Sequence, residues 1–255
     1  MSEFLRVERT GAVATILIDR QPKMNTMTVA MRNELPGIFG GLEADDGVRV
    51  VVMRGAGGKA FSAGGDVAEF LTLAPADLEL WGDTLTAAER CRKPVIAAID
   101  GFTMGAGLEL AAACDFRIAT LRSEFAFPEI RLGMIPGSGG TQRVLRLIGM
   151  TRAKLFIMTG QRIPAERAEA WGLITQAVPN DKLDEALQAL AGELAERAPL
   201  ALRTLKMVLN RGADAPLDTA IELERKAYAW LRSTHDYAEG IASFLEKRSP
   251  RYTGR

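Results

Sequence analysis

The sequence predicts an α/β fold followed by a purely helical C-terminal region. Three observations carry this. Runs of β-branched residues alternate with segments of helical period over most of the chain, the mark of an α/β architecture. Beyond Lys182 only helical patterning is found. A chain of 255 residues is also long enough to bury one large core. The expected division is therefore an α/β core over 1–197 that holds the functional site and a helical region over 198–255.

Taken in order, Val13–Ile18 reads as the first strand because it is a run rich in β-branched side chains. A helical period covers 28–42, and the valine-rich run 48–53 is the next strand. Helix is expected at 83–91, strand at Val95–Ile99, helix at 107–113 and strand at 116–119. Helical periods follow at 139–148, 151–158 and 165–170, and a last strand at 173–178. The C-terminal helices are expected at 183–197, 200–210, Leu217–Leu231 and 236–247, separated by Ala-Pro and Gly-Ala-Asp-Ala-Pro breaks.

Bulk properties narrow the function classes. Hydrophobic residues make up 47 % and charged residues 25 %, ordinary for a soluble globular protein. Lysine plus arginine and aspartate plus glutamate both number 32, so no global charge draws the protein to nucleic acid or to an anionic membrane. The first residues, Met-Ser-Glu-Phe-Leu-Arg-Val-Glu, show no basic and then apolar leader, and a cytoplasmic location is expected. The only cysteines, Cys91 and Cys114, give neither a disulfide framework nor metal-ligand spacing and read as small core residues. A single histidine, His235, stands between two C-terminal helices, far in sequence from every glycine-rich motif. A Ser-His-Asp triad or a histidine-ligated metal would depend on it alone, so neither is expected.

Two carboxylates stand where folding gives little reason for them. Glu109 lies in Met104-Gly-Ala-Gly-Leu-Glu-Leu-Ala-Ala-Ala-Cys-Asp115, and Glu129 in Phe125-Ala-Phe-Pro-Glu-Ile-Arg131, just before the run Gly133-Met-Ile-Pro-Gly-Ser-Gly-Gly140. An unpaired buried charge costs several kcal/mol or forces the group to neutralise. Two carboxyls in differently polar surroundings can instead serve as acid and base. The bland alternatives are a solvated helix face for Glu109 and a surface ion pair with Arg131 for Glu129. Two glycine-rich turns add backbone donors: Ser62-Ala-Gly-Gly-Asp66, and Gly101-Phe-Thr-Met-Gly-Ala-Gly107, which opens the helix carrying Glu109. Backbone N–H groups approach a ligand oxygen most closely where no side chain intervenes, and a helix N-terminus favours negative charge.

Gly58-Lys-Ala-Phe-Ser-Ala-Gly-Gly-Asp66, Lys93-Pro-Val-Ile-Ala-Ala-Ile-Asp-Gly101, both glutamate segments and Phe244-Leu-Glu-Lys-Arg248 together resemble the enoyl-CoA hydratase/isomerase (crotonase) family. The resemblance runs in order from about Leu5 to the C-terminus. It implies a crotonase-like spiral of ββα units with a C-terminal helical trimerisation region, forming a homotrimer or a dimer of trimers. It implies a hydratase that adds water to trans-2-enoyl-CoA, with no metal and no cofactor beyond the coenzyme A of the substrate. By residue, it makes Glu109 the base that activates water and Glu129 the acid that protonates Cα. The N–H groups of Gly65 and Ala106 would hold the thioester oxygen, and that of Gly137 the water. Acyl-CoA would lie along Ala63, Gly65, Asp66, Val67 and Ala68, with Lys23 and Lys59 as phosphate contacts. Phe244 and Lys247 would close over it, partly from a neighbouring subunit.

Departures from the common hydratase pattern are Val-Ala-Glu-Phe after Asp66, Thr26-Met27, and Phe127 before Pro-Glu. They surround the ligand and bear on chain preference. The rival readings are Δ3-Δ2 enoyl-CoA isomerisation, which needs one carboxylate, thioester hydrolysis, and a non-catalytic scaffold or RNA-binding relative.

Overall fold

A computed structural model describes residues 3–70, 72–79 and 81–255. In chain order its strands are β1 (Leu5–Thr10), β2 (Val13–Ile18), β3 (Val50–Gly55), β4 (Ala60–Ser62), β5 (Val95–Ile99), β6 (Phe102–Met104), β7 (Phe116–Thr120), β8 (Glu124–Ala126), β9 (Ile163–Pro164) and β10 (Gln176–Val178). The β-branched runs build one six-stranded sheet in the order β1-β2-β3-β5-β7-β10. β1 pairs antiparallel with β2, and every later neighbour in that sheet is parallel. Parallel strands need both faces covered, which is why β5 is buried at every position and β3 at all but Arg54.

Alternate side chains of these strands supply two cores. Val51, Met53, Ala97 and Ile99 face the larger one, with Leu108, Leu110, Phe125 and Phe127. Val50, Val52, Ile96 and Ala98 face the smaller one, closed by Leu183 and Ala191 of the helix Leu183–Ala195. Each such Val, Leu or Ile contributes roughly 1.5–3 kcal/mol on burial.

A second sheet, β4-β6-β8-β9, has no counterpart in the sequence reading. Its strands have three residues or fewer, too short to show a period of two. β1 was also missed, because its run Leu-Arg-Val-Glu-Arg-Thr is an exposed, charged edge. Three long strands are each followed closely by a short one, β3 by β4, β5 by β6 and β7 by β8, and then by helical structure. That repeat is the expected ββα spiral. β4, β6 and β8 are mutually parallel neighbours, so the loops leaving their C-terminal ends emerge side by side.

Other boundaries shift for local reasons. The helix expected at 83–91 is two pieces, Trp81–Leu85 and Ala87–Arg90, and at the junction the Thr86 hydroxyl donates to the Gly82 carbonyl at 2.7 Å. The strand expected at 173–178 begins only at Gln176, because the N–H of Leu173 turns back to the Ala168 carbonyl at 2.8 Å. Helix Val29–Ala44 starts where its cap allows: the Thr28 hydroxyl accepts from the N–H of Met31 at 3.1 Å.

The C-terminal helices are Pro199–Gly212, Leu217–Leu231 and His235–Glu246, and the first two bury no residue completely within one chain. A few polar ties hold them to the sheet. Lys206 Nζ donates to Asp115 Oδ2 at 2.7 Å and to the carbonyls of Lys93 and Ala88 at 3.1 and 3.2 Å. The two charged side chains are only 9 % and 19 % exposed. Burial pushes the Asp115 carboxyl up, and Lys206 opposes this. Lys206→Met is expected to leave that carboxylate unpaired and to lower stability by about 3–5 kcal/mol in urea unfolding. A loss below about 1 kcal/mol would place the pair with ordinary surface ion pairs.

Candidate active site

Helix Ala106–Ala113 reads Ala-Gly-Leu-Glu-Leu-Ala-Ala-Ala, and all 8 residues are buried. Its one charge, Glu109, is 3 % exposed. The solvated-face reading of this residue therefore fails. Glu109 Oε1 accepts from the N–H of Ser138 at 2.6 Å and of Gly140 at 3.0 Å. Oε2 takes no hydrogen bond from the described residues. Burial pushes the carboxyl up, and the two N–H donors, followed by the charges of Arg32 and Arg143, pull it back. Gly140 must be glycine for this approach, since a Cβ there would lie 2.9 Å from Glu109 Cγ and from the Phe127 ring.

Glu129 sits in a 3-10 turn, Pro128–Leu132, directly after β8. It forms no surface ion pair with Arg131, which donates instead to the Gly160 carbonyl at 2.9 Å. Its Oε2 is buried without a partner. Burial therefore dominates and pushes its carboxyl up to about 7, with Glu109 adding to the rise and its own backbone N–H opposing. Glu129 rests against Gly105, the residue that opens the Glu109 helix. A Cβ at Gly105 would stand 2.6 Å from Glu129 Oε1, and its φ of 50° already disfavours a side chain.

Two backbone donors face the same space. Gly65 forms a parallel bridge with Met27 in which the Gly64 carbonyl accepts from Met27 at 2.8 Å and the Asp66 N–H donates to Met27 at 3.0 Å. In that geometry the intervening Gly65 N–H turns away from Met27. Ala106 is the first residue of its helix, so its N–H has no carbonyl within the helix to meet.

These groups line one cavity of about 190 Å³, and with them Ala63, Val67 and Gly137. Leu78, Leu132, Met134 and Ile135 supply an apolar wall. A larger cavity of about 400 Å³ lies between helix Pro199–Gly212 and the far end of the Glu109 helix. Its carboxyls, Asp115 and Glu89, are held by Lys206 and Arg143, so the smaller cavity is the candidate active site.

Other expected residues stand apart from this cavity. Asp66 is bound to Arg20 at 2.8 Å, which holds its carboxyl below the usual range. Ala68, Lys23 and Lys59 are exposed and outside the lining. Phe244, 79 % exposed, lines a separate hollow with Tyr228 and Tyr237, and Lys247 caps the last helix. Neither reaches the two glutamates within one chain. Cys91 and Cys114 are buried, and desolvation raises both thiols, that of Cys114 to about 12. His235 begins the last helix, exposed and remote from the cavity.

Two residues of the site were missed. Ser138 touches Glu109 through its N–H, and Arg32, also in the lining, is 1 % exposed. The signal for Arg32 was its place on the apolar stripe of its helix with Leu35 and Phe39, where a cation is out of pattern.

Comparison with known proteins agrees with this geometry. Residues 8–255 match the family described as enoyl-CoA hydratase/isomerase. The chain is 36 % identical to the short-chain-enoyl-CoA hydratase of Clostridium acetobutylicum, covering 95 % of this chain and 94 % of the relative. It is 35 % identical to the 2,3-dehydroadipyl-CoA hydratase of Escherichia coli over the whole of both. The crystal structure of enoyl-CoA hydratase from Bacillus anthracis superposes with a TM-score of 0.94 at 37 % identity, covering 99 % of this chain and 100 % of that one.

Gly105→Ala should drive a methyl group into Glu129 and lower kcat by about 10²-fold, the smaller end of an acid–base contribution. Gly137→Ala, where a Cβ meets nothing within 4 Å, should be tolerated. Steady-state kinetics on both variants checks the contrast. Glu129 also predicts a stability effect. Its folded-state value of about 7 lies above the ordinary value of 4.5, so the unfolded state releases its proton first and stability falls as pH rises between these values. Glu129→Gln should therefore raise Tm at pH 8 and leave it unchanged near pH 4, as read by thermal melts.

Proposed function

This chain belongs to the enoyl-CoA hydratase/isomerase family, and we propose that it adds water reversibly across the 2,3 double bond of a trans-2-enoyl-CoA to give the 3-hydroxyacyl-CoA. One observation carries the reading. A buried carboxyl, Glu109, and a half-buried one, Glu129, share a cavity with two backbone N–H groups; Glu109 accepts from two N–H groups of the neighbouring loop, whereas Glu129 Oε2 is buried without a partner among the described residues.

The thioester oxygen accepts from Gly65 and Ala106, which draws electron density from Cβ and stabilises the enolate that follows attack. Glu109, ionised, takes a proton from water as its oxygen bonds to Cβ. Glu129, protonated, gives its proton to Cα. The pair ends with its proton exchanged between partners and resets by passing it back, so the two titrate as one unit. Gly137 N–H serves to hold the water. Isomerisation of a 3-enoyl-CoA would use the Glu129 site alone, and the well-supplied Glu109 favours hydration. A scaffold without chemistry would have no use for a carboxyl raised to about 7.

The same reading takes coenzyme A only as part of the substrate, with Asp66, Ala68, Lys23 and Lys59 along its course outside the cavity. It divides the chain into a core over 1–197 and a helical region over 198–255 that assembles as a trimer or a dimer of trimers. Support comes from the large apolar side chains exposed there, among them Leu217, Tyr228, Phe244 and Leu245. Assembly would bring Phe244 and Lys247 to a neighbour's site. A cytoplasmic location belongs to the same proposal. Among the described residues no helix is long and apolar enough to cross a membrane.

Glu109→Gln and Glu129→Gln should each reduce crotonyl-CoA hydration by ~10²–10⁴-fold while leaving the fold and CoA binding intact. The loss of conjugated-thioester absorbance measures it. Near-wild-type turnover in either variant would remove that residue from the mechanism. Survival of 3-enoyl isomerisation in Glu109→Gln alone would assign Glu109 to water.

A further inference from the structure

We propose that Arg32 is a positioning residue for this reaction: through Ser138 it aims the loop N–H groups at Glu109, and its charge keeps Glu109, rather than Glu129, the ionised member of the pair. The inference rests on the acid–base reading above and assigns the device that sets it.

Every polar group of Ser138 is engaged. Its N–H donates to Glu109 Oε1 at 2.6 Å, its hydroxyl accepts from Arg32 Nη2 at 2.6 Å, and its carbonyl accepts from Arg143 Nη1 at 2.9 Å. Helix Val29–Ala44 and helix Gly140–Ile148 thus clamp one residue between two guanidinium groups. The clamp leaves the loop little freedom to withdraw its N–H groups from Glu109.

Charge adds to geometry. The charged groups facing Glu109 are Arg32 from helix Val29–Ala44, Arg143 from helix Gly140–Ile148, and Glu129 from the 3-10 turn. Arg143 already shares its charge with Glu89 at 2.6 Å and also donates to the Thr86 hydroxyl at 3.1 Å. Arg32 is the more deeply buried of the two arginines, and the effect of a charge grows as water is excluded. Desolvation pushes its guanidinium down to about 10, opposed by attraction to Glu109, which leaves it cationic at neutral pH. Burying a cation is unfavourable, and a leucine or methionine would fill the apolar stripe beside Leu35 and Phe39 without that penalty. The charge is therefore explained by the carboxylate it faces.

The test reads Glu109 directly, in the unliganded protein. Glutamate isotope-labelled at Cδ reports the titration by NMR, and Glu109→Gln identifies the resonance. In Arg32→Gln, which retains a donor for Ser138 but loses the charge, the Glu109 midpoint should rise by about one pH unit or more. The acid limb of the kcat profile should move upward with it while KM stays within about twofold, since uniform binding is untouched. Arg32→Lys should restore most of both. A purely structural Arg32 would lower Tm in Arg32→Gln and leave the midpoint in place, which would overturn the proposal. Should Arg32→Gln fail to fold, Ser138→Ala decides: severing the hydroxyl contact must shift the midpoint in the same direction, and an unmoved midpoint overturns the proposal. Because the midpoint is read without substrate, failure of the hydration chemistry shows separately, as retained turnover in Glu109→Gln.

Discussion

Pairing of three short strands is the constraint on which the site depends. β6 pairs with β4, Thr103 opposite Ser62 after a one-residue irregularity, and with β8, Met104 opposite Ala126, and each strand is followed at once by a loop that lines the candidate site. Backbone hydrogen bonds between neighbouring strands hold them about 4.8 Å apart, so the loops leave at fixed small separations. The 63–66 turn, Gly105 with Ala106, and the 3-10 turn with Glu129 therefore open into one cavity. The large sheet holds this small one in place by feeding β4, β6 and β8 directly from a long, buried strand. The proposed catalytic constellation, drawn from widely separated parts of the sequence, thus inherits the rigidity of a β-ladder.

Within that frame, one physical effect acts on both carboxyls and two local arrangements separate them. Desolvation raises each, because both are removed from water. Glu109 is partly compensated by two loop N–H groups and flanking guanidinium charge, whereas Glu129 has a buried oxygen that nothing among the described residues satisfies. Such an oxygen is better tolerated protonated than ionised, and a protonated carboxyl is what an acid requires. The strain of an unsatisfied polar atom and the chemical readiness of the group are the same fact. The glycines at 105 and 140 belong to this arrangement, since each makes room for a carboxylate side chain where a methyl group would stand.

The outer wall of the cavity is apolar and partly open. Leu132 and Ile135 are 57 % and 70 % exposed, and together with Met134 they offer an acyl chain a surface without polar competition. The exposed apolar side chains of the C-terminal helices present a comparable surface on the other part of the molecule. Polar ties at Lys206, and at Arg49 with the Tyr252 carbonyl, orient that helical region against the core without covering it. Its apolar faces remain free to be buried by association, which closed symmetry would repeat identically in each subunit.

By itself the sequence determined the alternation of long strands and helices, the helical C-terminal region, and the two glutamates with their glycine loops. Those features are legible because they are local: a β-branched run, a 3.6-residue period, a carboxylate out of place among alanines. The glycine-rich turns and the helix start were visible too, while the choice of Gly65, Ala106 and Gly137 within them came from the resemblance to the family. Only the tertiary structure decided the rest. The short strands have no period to read, so the sheet that gathers the loops is visible only once the long strands have paired. Arg32 stood out of pattern on its helix, yet its meaning depends on Ser138, 106 positions away in sequence. Which glutamate holds the proton depends on where N–H groups and guanidinium charges fall in space. Electrostatics inside a protein follows distance and burial, and neither is a property of sequence neighbours.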